Sequence, residues 1–171
     1  MIVAGDEGTA LPGEAEIVRL CRGSSDGRAT PEDFALSSAD KSSPVARLSV
    51  WCTALTTLEQ ADTLTERRFA LAATLVVDEV RALRPHPDDT AVSALDVQWE
   101  RARRLLDGVW LVVDEPGALG HAGIAALDQE GRDSRGQGLK AYRKSLRRRL
   151  ADLANERALV PLRGAAPSLV G

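Results

Sequence analysis

The spacing of apolar residues predicts short β-strands in the first half of the chain. An apolar group around Ile17 lies between polar and glycine-rich segments, which favours a strand within residues 14–22. We interpret residues 46–52 as a second strand, with a helix beginning near Ser43 as the alternative. These assignments predict a sheet that begins early in the chain.

Two helix starts are visible in the same half. Thr30 can cap a helix whose first turn contains Pro31, because proline fits the first helical positions. Thr56 and Glu59 have the spacing of a capping box, which predicts a helix of about two turns over residues 57–63.

The middle of the chain is less clear. Residues 68–83 fit both a helical face and a β-rich run, and the pattern leaves both open. Residues 95–100 alternate strictly between apolar and polar, which favours a strand, although a helix over 90–106 is the alternative. The continuous apolar run 109–113 predicts a buried strand, and residues 120–127 suit another.

The clearest helix is predicted at the C-terminal end, over about residues 139–156. Five apolar residues spaced by three or four positions form one stripe: Leu139, Tyr142, Leu146, Leu150 and Leu153. An adjoining face carries basic residues: Lys140, Arg143, Lys144, Arg147 and Arg148. We expect the stripe to pack on the rest of the protein and the basic face to point outward.

Together these elements predict an α+β fold, with short strands, small helices and a long basic amphipathic helix at the C-terminus. The 171 residues suit one compact domain, which we place at residues 14–164. Residues 1–13 are expected to be a flexible leader, and residues 165–171 a tail.

Charge divides the chain into two unlike parts. Residues 1–131 carry a net charge of −10, and residues 132–171 carry +7, within a total of −3. This asymmetry predicts either a match within the molecule or a basic arm for an anionic partner. We therefore expect a non-catalytic binding or regulatory module that contacts a protein or nucleic acid through its last helix, with homo-oligomerisation left open. The residues expected to contact anions are Arg143, Lys144, Arg147 and Arg148.

Residues 145–164 add a family resemblance to this picture. The arginine-rich helical segment followed by the short apolar stretch before Gly164 resembles the recognition helix and first wing strand of winged-helix DNA-binding regulators. That resemblance implies contacts between the basic side chains and DNA phosphates.

Three short motifs suggest catalysis but lack the required context. Residues 23–27 match G-x-S-x-G with Ser25 at the nucleophile position, yet the next helix starts too late for a nucleophile elbow. Residues 109–115 resemble a Walker B strand, but the sequence contains no phosphate-binding P-loop. Residues 136–141 fit a relaxed dinucleotide pattern without a preceding strand.

A small enzyme is the alternative function. Arg19 on one strand, Ser49 on another and a later acid, Glu79 or Glu100, follow the residue order of ADP-ribosyltransferases, which this chain resembles weakly. A pocket around His121 is a second possible site, because small neighbours there permit close approach of a ligand.

The remaining features suggest a cytoplasmic protein without metal or cofactor. The N-terminus lacks the pattern of a signal peptide, and no apolar stretch is long enough to span a bilayer. Cys21 and Cys52 are far apart in sequence and are expected to be reduced thiols. Neither His86 nor His121 has further histidine or cysteine at metal-ligand spacing.

Overall fold

A computed structural model describes residues 1–42, 46–86, 88, 92–127 and 139–163. In these parts of the chain the strands are β1 (Glu16–Cys21), β2 (Leu48–Cys52), β3 (Leu71–Val76), β4 (Asp96–Trp99), β5 (Arg103–Leu106), β6 (Val109–Val112), β7 (His121–Ala125) and β8 (Val160–Pro161). The α-helices are α1 (Ser38–Ser42), α2 (Leu58–Leu64), α3 (Val77–Arg81) and α4 (Leu139–Asn155). Short 3-10 turns cover Pro31–Phe34 and Ala118–Gly120.

Six of these strands form one curled antiparallel sheet, in the order β4–β7–β2–β1–β3–β8. The longest pairing joins β1 and β3 over six residues, from Glu16 opposite Val76 to Cys21 opposite Leu71. Strands β5 and β6 form a separate two-stranded hairpin. The structure confirms the predicted α+β class and the single compact domain.

The sheet has two different faces, because successive side chains in a strand point to opposite sides. One face carries the larger apolar core and packs against α4, with Ile17, Val50 and Ile124 fully buried. The other face carries a smaller apolar cluster that includes Val18 and Trp51 and contacts α2.

Most uncertain segments of the sequence now have definite structures. The strand interpretations of residues 46–52 and 95–100 are confirmed by β2 and β4, and residues 120–127 contain β7. Residues 68–83 contain both alternatives in succession, since β3 runs directly into α3. The helix start at 57–63 is confirmed with a shift of one residue in its cap.

That shift concerns the capping box of α2. Thr57, rather than Thr56, caps the helix: its side chain accepts a hydrogen bond from the backbone N–H of Gln60, and the side-chain oxygen of Gln60 accepts one from the backbone N–H of Thr57. The Thr56 hydroxyl instead donates to the backbone oxygen of Gly117 at 2.7 Å. The Thr56 hydroxyl therefore links the start of α2 to the loop that contains Gly117.

Helix α4 packs by the predicted apolar stripe. Tyr142, Leu146, Leu150 and Leu153 are all buried, and Leu146 and Leu150 are completely inaccessible. The helix lies against β3 and the Pro31–Phe34 turn. Burial of each large apolar side chain contributes on the order of 1.5–3 kcal/mol, so this stripe is sufficient to hold the helix in place.

Two expectations need correction. Residues 109–113 are not a buried strand, because Val109, Leu111 and Val112 of β6 are about half exposed. Within residues 1–13, expected to be a flexible leader, the segment around Leu11 contacts the sheet, whereas Met1 and Val3 are exposed. The backbone N–H of Leu11 donates to Val97, and the Leu11 side chain is 2% exposed.

Among the helices of the described residues, none is long and apolar enough to cross a membrane.

Candidate functional site

A cluster of polar side chains lies on the sheet face opposite α4. Strand alternation places Ser49 of β2, His121 of β7 and Glu100, which directly follows β4, on this face. Arg47 and Gln98 lie beside them, so that Nε of Arg47 donates to Oε1 of Gln98 at 3.0 Å. We call these five residues the sheet-face cluster.

The closest contact in the sheet-face cluster joins Ser49 and His121. Oγ of Ser49 lies 2.7 Å from Nε2 of His121, and Nδ1 of His121 lies 3.1 Å from the backbone oxygen of Glu100. A carbonyl oxygen can only accept, so Nδ1 carries the hydrogen and Nε2 accepts from the Ser49 hydroxyl. The imidazole is thus held in one tautomer.

Burial keeps this imidazole neutral. His121 is 8% exposed and packs against Trp51, with ring centroids 4.7 Å apart. Removal from water disfavours the charged form, which lowers the pKa of His121 to about 4. Backbone oxygens near the ring and the Asp40 carboxylate oppose this effect without overcoming it.

Glu100 and Arg47 form the ionisable edge of the sheet-face cluster. Their side chains are about nine-tenths buried, and Nη1 of Arg47 lies 4.0 Å from Oε1 of Glu100. Burial raises the pKa of Glu100 to about 7, although the Arg47 guanidinium acts in the opposite direction. Glycine at position 123 makes room for the pair, because a Cβ there would lie 2.5 Å from Cβ of Arg47.

Arg19 lies next to the sheet-face cluster, and its side chain forms hydrogen bonds with backbone oxygens. Its guanidinium donates to the backbone oxygens of Asp33 at 2.8 Å and Ser49 at 2.9 Å. The paired register of β1 and β2 covers Ile17–Cys52 and Val18–Trp51, so Arg19 bridges the strands next to this register. Burial lowers the pKa of the Arg19 guanidinium. These contacts connect Arg19 to the backbone of β2 at Ser49 and to the turn at Asp33.

The two candidate acids have different surroundings. Glu100 belongs to the sheet-face cluster, whereas Glu79 on α3 forms a two-pronged ion pair with Arg157, with both N–O distances 2.8 Å. This pair connects α3 to the segment that follows α4, and it lowers the pKa of Glu79. Of the two acids, the structure brings only Glu100 together with Ser49 and His121.

The chemistry that this arrangement can perform is proton transfer between Ser49 and His121. A hydroxyl that donates to a neutral, oriented imidazole has the geometry of a nucleophile and its general base. A pKa of about 4 makes His121 a weaker base than one with a pKa near neutrality, which suits general base catalysis best. The same contact also satisfies the Ser49 hydroxyl and the His121 imidazole, whereas Nη1 of Arg47 on the same face is buried without a hydrogen-bond partner among the described residues.

The basic residues of α4 lie on a different part of the surface. Six of its 17 residues are Lys or Arg, against a single Asp. Lys144 and Arg148 are exposed, while Arg143 and Arg147 are half-buried. Within the described parts of the chain, no carboxylate lies within ion-pairing distance of Lys144, Arg147 or Arg148. We call Lys144, Arg147 and Arg148, together with Arg143, the basic face of α4.

The segment that resembles a winged-helix regulator has a different structural context here. Its helical part belongs to α4, which packs on an antiparallel sheet, and its strand β8 pairs with Leu71 and Ala72 at the edge of that sheet. Residues 131–138, where the resemblance requires a preceding turn, lie outside the described residues. The first three residues of the dinucleotide-like pattern at 136–141 also lie outside the described residues.

Sequence analysis did not single out Arg47 or Gln98. Gln98 lies in β4, and Arg47 directly precedes β2, two residues before Ser49, so strand alternation was the available signal. Ser25 of the G-x-S-x-G motif is exposed in a turn between β1 and the 3-10 turn.

The described residues contain no group of three or more His, Cys, Asp or Glu side chains that could hold a metal ion. Cys21 and Cys52 are free and buried, and burial raises the pKa of Cys21 to about 12.

Comparison of the chain with protein-family models, with curated proteins and with solved structures finds no match.

Proposed function

We propose that the protein is a binding or regulatory module that presents the basic face of α4 to an anionic partner, either a nucleic acid or an acidic protein surface. The observation that supports this proposal is the position of Lys144 and Arg148. Both are exposed, they are one helical turn apart, and no described carboxylate pairs with them. Cations placed in this way are available to phosphate or carboxylate groups of another molecule.

The apolar stripe of α4 supports the same proposal. Leu146 and Leu150 are completely buried, so the helix is anchored on the sheet and its opposite side cannot turn inward. A rigid helix presents its charges without the entropic cost of ordering a flexible arm on binding. Basic charge on a fixed scaffold is typical of electrostatic binding surfaces.

Fluorescence titration of labelled single-stranded and duplex nucleic acid, at two salt concentrations, tests the proposal. We expect affinity to fall at higher salt, because bound cations displace counterions from phosphates. The variant Lys144→Ala with Arg148→Ala should bind more weakly to every sequence. Arg22→Ala with Arg101→Ala removes two other exposed positive charges and should retain affinity.

Poly-glutamate in the same titration represents an acidic protein surface. Stronger binding to poly-glutamate than to nucleic acid would favour a protein partner. Equal losses in the two double variants would show that only net charge matters and would contradict the proposal. Binding that ignores salt, or no binding to either polyanion, would also contradict it.

A second candidate function is a small acyl-transfer or hydrolytic enzyme, favoured by the 2.7 Å contact between Ser49 and His121. In the reaction, Oγ of Ser49 attacks an ester carbonyl carbon while its proton passes to Nε2 of His121. The leaving alcohol then takes that proton. His121 then deprotonates a water molecule, whose oxygen attacks the carbonyl carbon of the acyl-serine. The protonated His121 donates the proton to Oγ of Ser49 as that oxygen leaves.

Hydrolysis of p-nitrophenyl acetate tests this second candidate. We expect Ser49→Ala to abolish any enzymatic turnover and Ser25→Ala, in the exposed G-x-S-x-G turn, to leave it unchanged. Turnover that survives Ser49→Ala, or no turnover above the buffer rate, would exclude the enzyme. The ADP-ribosyltransferase resemblance is tested in parallel by NAD hydrolysis, in which Glu100→Gln should be inactive.

A further inference from the structure

An N-terminal segment of the chain lies along the outer edge of β4. The backbone N–H of Gly8 donates to the oxygen of Trp99, and the backbone N–H of Trp99 donates to the oxygen of Thr9, both at 2.8 Å. The backbone N–H of Leu11 donates further along β4, at 3.0 Å. These bonds cover main-chain groups that an edge strand otherwise leaves open. We call residues 7–11 the strap.

The strap also contacts two charged groups of the domain. The carboxylate oxygens of Glu7 accept from the guanidinium of Arg103, at 2.6 and 2.8 Å. A Cβ at position 8 would lie 3.7 Å from Nη2 of Arg47, so the main chain of the strap passes beside that guanidinium. The strap is therefore part of what separates the ionisable edge of the sheet-face cluster from water.

The two side chains at this ionisable edge are close but not hydrogen-bonded. Glu100 is 9% exposed, and its Oε1 lies 4.0 Å from Nη1 of Arg47, which is beyond hydrogen-bond distance. Among the described residues, this buried Nη1 has no hydrogen-bond partner. An ionised Glu100 has therefore lost most of its water and gains no hydrogen bond from Arg47 in return. Burial accordingly raises the pKa of Glu100 to about 7.

Charged groups from four parts of the fold act on the Glu100 carboxyl: Arg47 before β2, Arg103 of β5, Glu7 of the strap and Asp40 of α1. The two guanidinium groups favour its ionised form, whereas the two carboxylates disfavour it. His121 of β7, which contacts the backbone oxygen of Glu100, has a pKa of about 4 and is neutral when Glu100 ionises. Opening of the strap would therefore take Glu7 away from an ionised Glu100 and admit water to it.

We propose that the strap is a pH-sensitive element, which leaves the edge of β4 more readily when the Glu100 carboxyl beside it ionises. The buried pair without a hydrogen bond, and the strap that passes beside it, support this assignment. Opening also frees N–H and C=O groups of β4 for pairing with another strand. The proposal depends neither on the basic face of α4 nor on catalysis by Ser49.

The sign and size of the effect follow from proton binding. With the strap closed, Glu100 has a pKa of about 7, and with the strap open its ordinary value of 4.5 applies. The strap is therefore held most firmly below about pH 4.5, and its opening becomes more favourable as pH rises to about 7. Full hydration of Glu100 on opening corresponds to an increase on the order of 50-fold between about pH 5 and about pH 7.5.

Hydrogen exchange at these two pH values, corrected for the intrinsic pH dependence of exchange, measures the opening even when most molecules keep the strap closed. The amides of Gly8, Leu11 and Trp99 report on the strap. We expect them to exchange faster than the amides of β1 and β3. Their protection should fall on the order of 50-fold at the higher pH.

Two variants and one comparison within the parent complete the test. Glu100→Gln should make the protection of the strap independent of pH, because glutamine does not ionise. Glu59→Gln, which removes an exposed carboxyl group from α2, should keep the pH dependence of the parent. Protection in the parent that does not change with pH would overturn the proposal, as would a pH-dependent loss that persists in Glu100→Gln. Strap amides that exchange no faster than those of β1 and β3 would also overturn it, because they would then open only with the whole fold.

Discussion

Replacing Glu100 by glutamine changes how the stability of the protein depends on pH. The substitution keeps the shape of the side chain and removes its ionisation. The Glu100 side chain is 9% exposed, and burial raises its pKa from 4.5 to about 7. In the parent protein, an ionised Glu100 is therefore less favourable when folded than when unfolded.

The sign of the effect follows from proton binding. Between pH 4.5 and about 7 the folded chain holds a proton on Glu100 that the unfolded chain has lost. The free energy of unfolding therefore falls as pH rises through this window, by about 3 kcal/mol in total. His121 acts in the opposite direction: its pKa is lowered from 6.5 to about 4, so its contribution to stability increases as pH rises between these values.

In the parent protein the pH-dependent contributions of Glu100 and His121 to the free energy of unfolding largely cancel. The informative quantity is therefore the difference in free energy of unfolding between the variant and the parent. We expect Glu100→Gln to gain about 3 kcal/mol of stability relative to the parent as pH rises from about 4 to about 8. Urea unfolding followed by circular dichroism at several pH values measures this difference. Glu14→Gln, at an exposed position, is the matched control for the removal of a carboxyl group.

If the difference in free energy of unfolding between Glu100→Gln and the parent did not change with pH, the reasoning from burial would be refuted. A difference that moves the other way, with the variant losing stability as pH rises, would show that Arg47 stabilises the ionised carboxylate more than burial destabilises it. In that case the pair 4.0 Å apart would be a stabilising ion pair.

Other consequences are accessible to standard measurements. Leu150→Ala should lower the free energy of unfolding by about 2–5 kcal/mol in urea titration, because it empties a fully buried site under α4; a loss below 1 kcal/mol would contradict this packing. Gly120→Ala should lower the melting temperature, because its new methyl group would collide with the Thr56 hydroxyl. An unchanged melting temperature would show that the backbone at position 120 and the Thr56 hydroxyl are further apart than in this structure. Cys21 and Cys52 should react with a thiol reagent only after unfolding, and rapid native reaction would show that they are accessible.

Several parts of the fold were predictable because a local pattern decides them. The apolar stripe of α4 requires a helix that is buried on one side, and the alternation in residues 95–100 matches the pleat of β4. Residues 68–83 fit two patterns because they contain two elements, β3 and α3. The apolar run at 109–113 misled the prediction, since a continuous run shows β-propensity but not what covers the strand.

The sheet-face cluster was only partly predictable. Ser49 and His121 belonged to two separate hypotheses, because 72 residues separate them and only the pairing of β2 with β7 brings them together. The hydrogen bonds from Arg19 to backbone oxygens depend on where β1 and β2 stop pairing, and no local sequence pattern determines that position. Long-range strand order therefore determines which of the named residues meet.

The central claim, that the exposed cations of α4 contact an anionic partner, is tested most directly by the salt dependence of binding. For duplex nucleic acid, each phosphate contact contributes about 0.9 to the slope of the logarithm of affinity against the logarithm of salt concentration. Replacing Lys144 and Arg148 by alanine should reduce that slope by about two. A slope identical to that of the parent would contradict the claim.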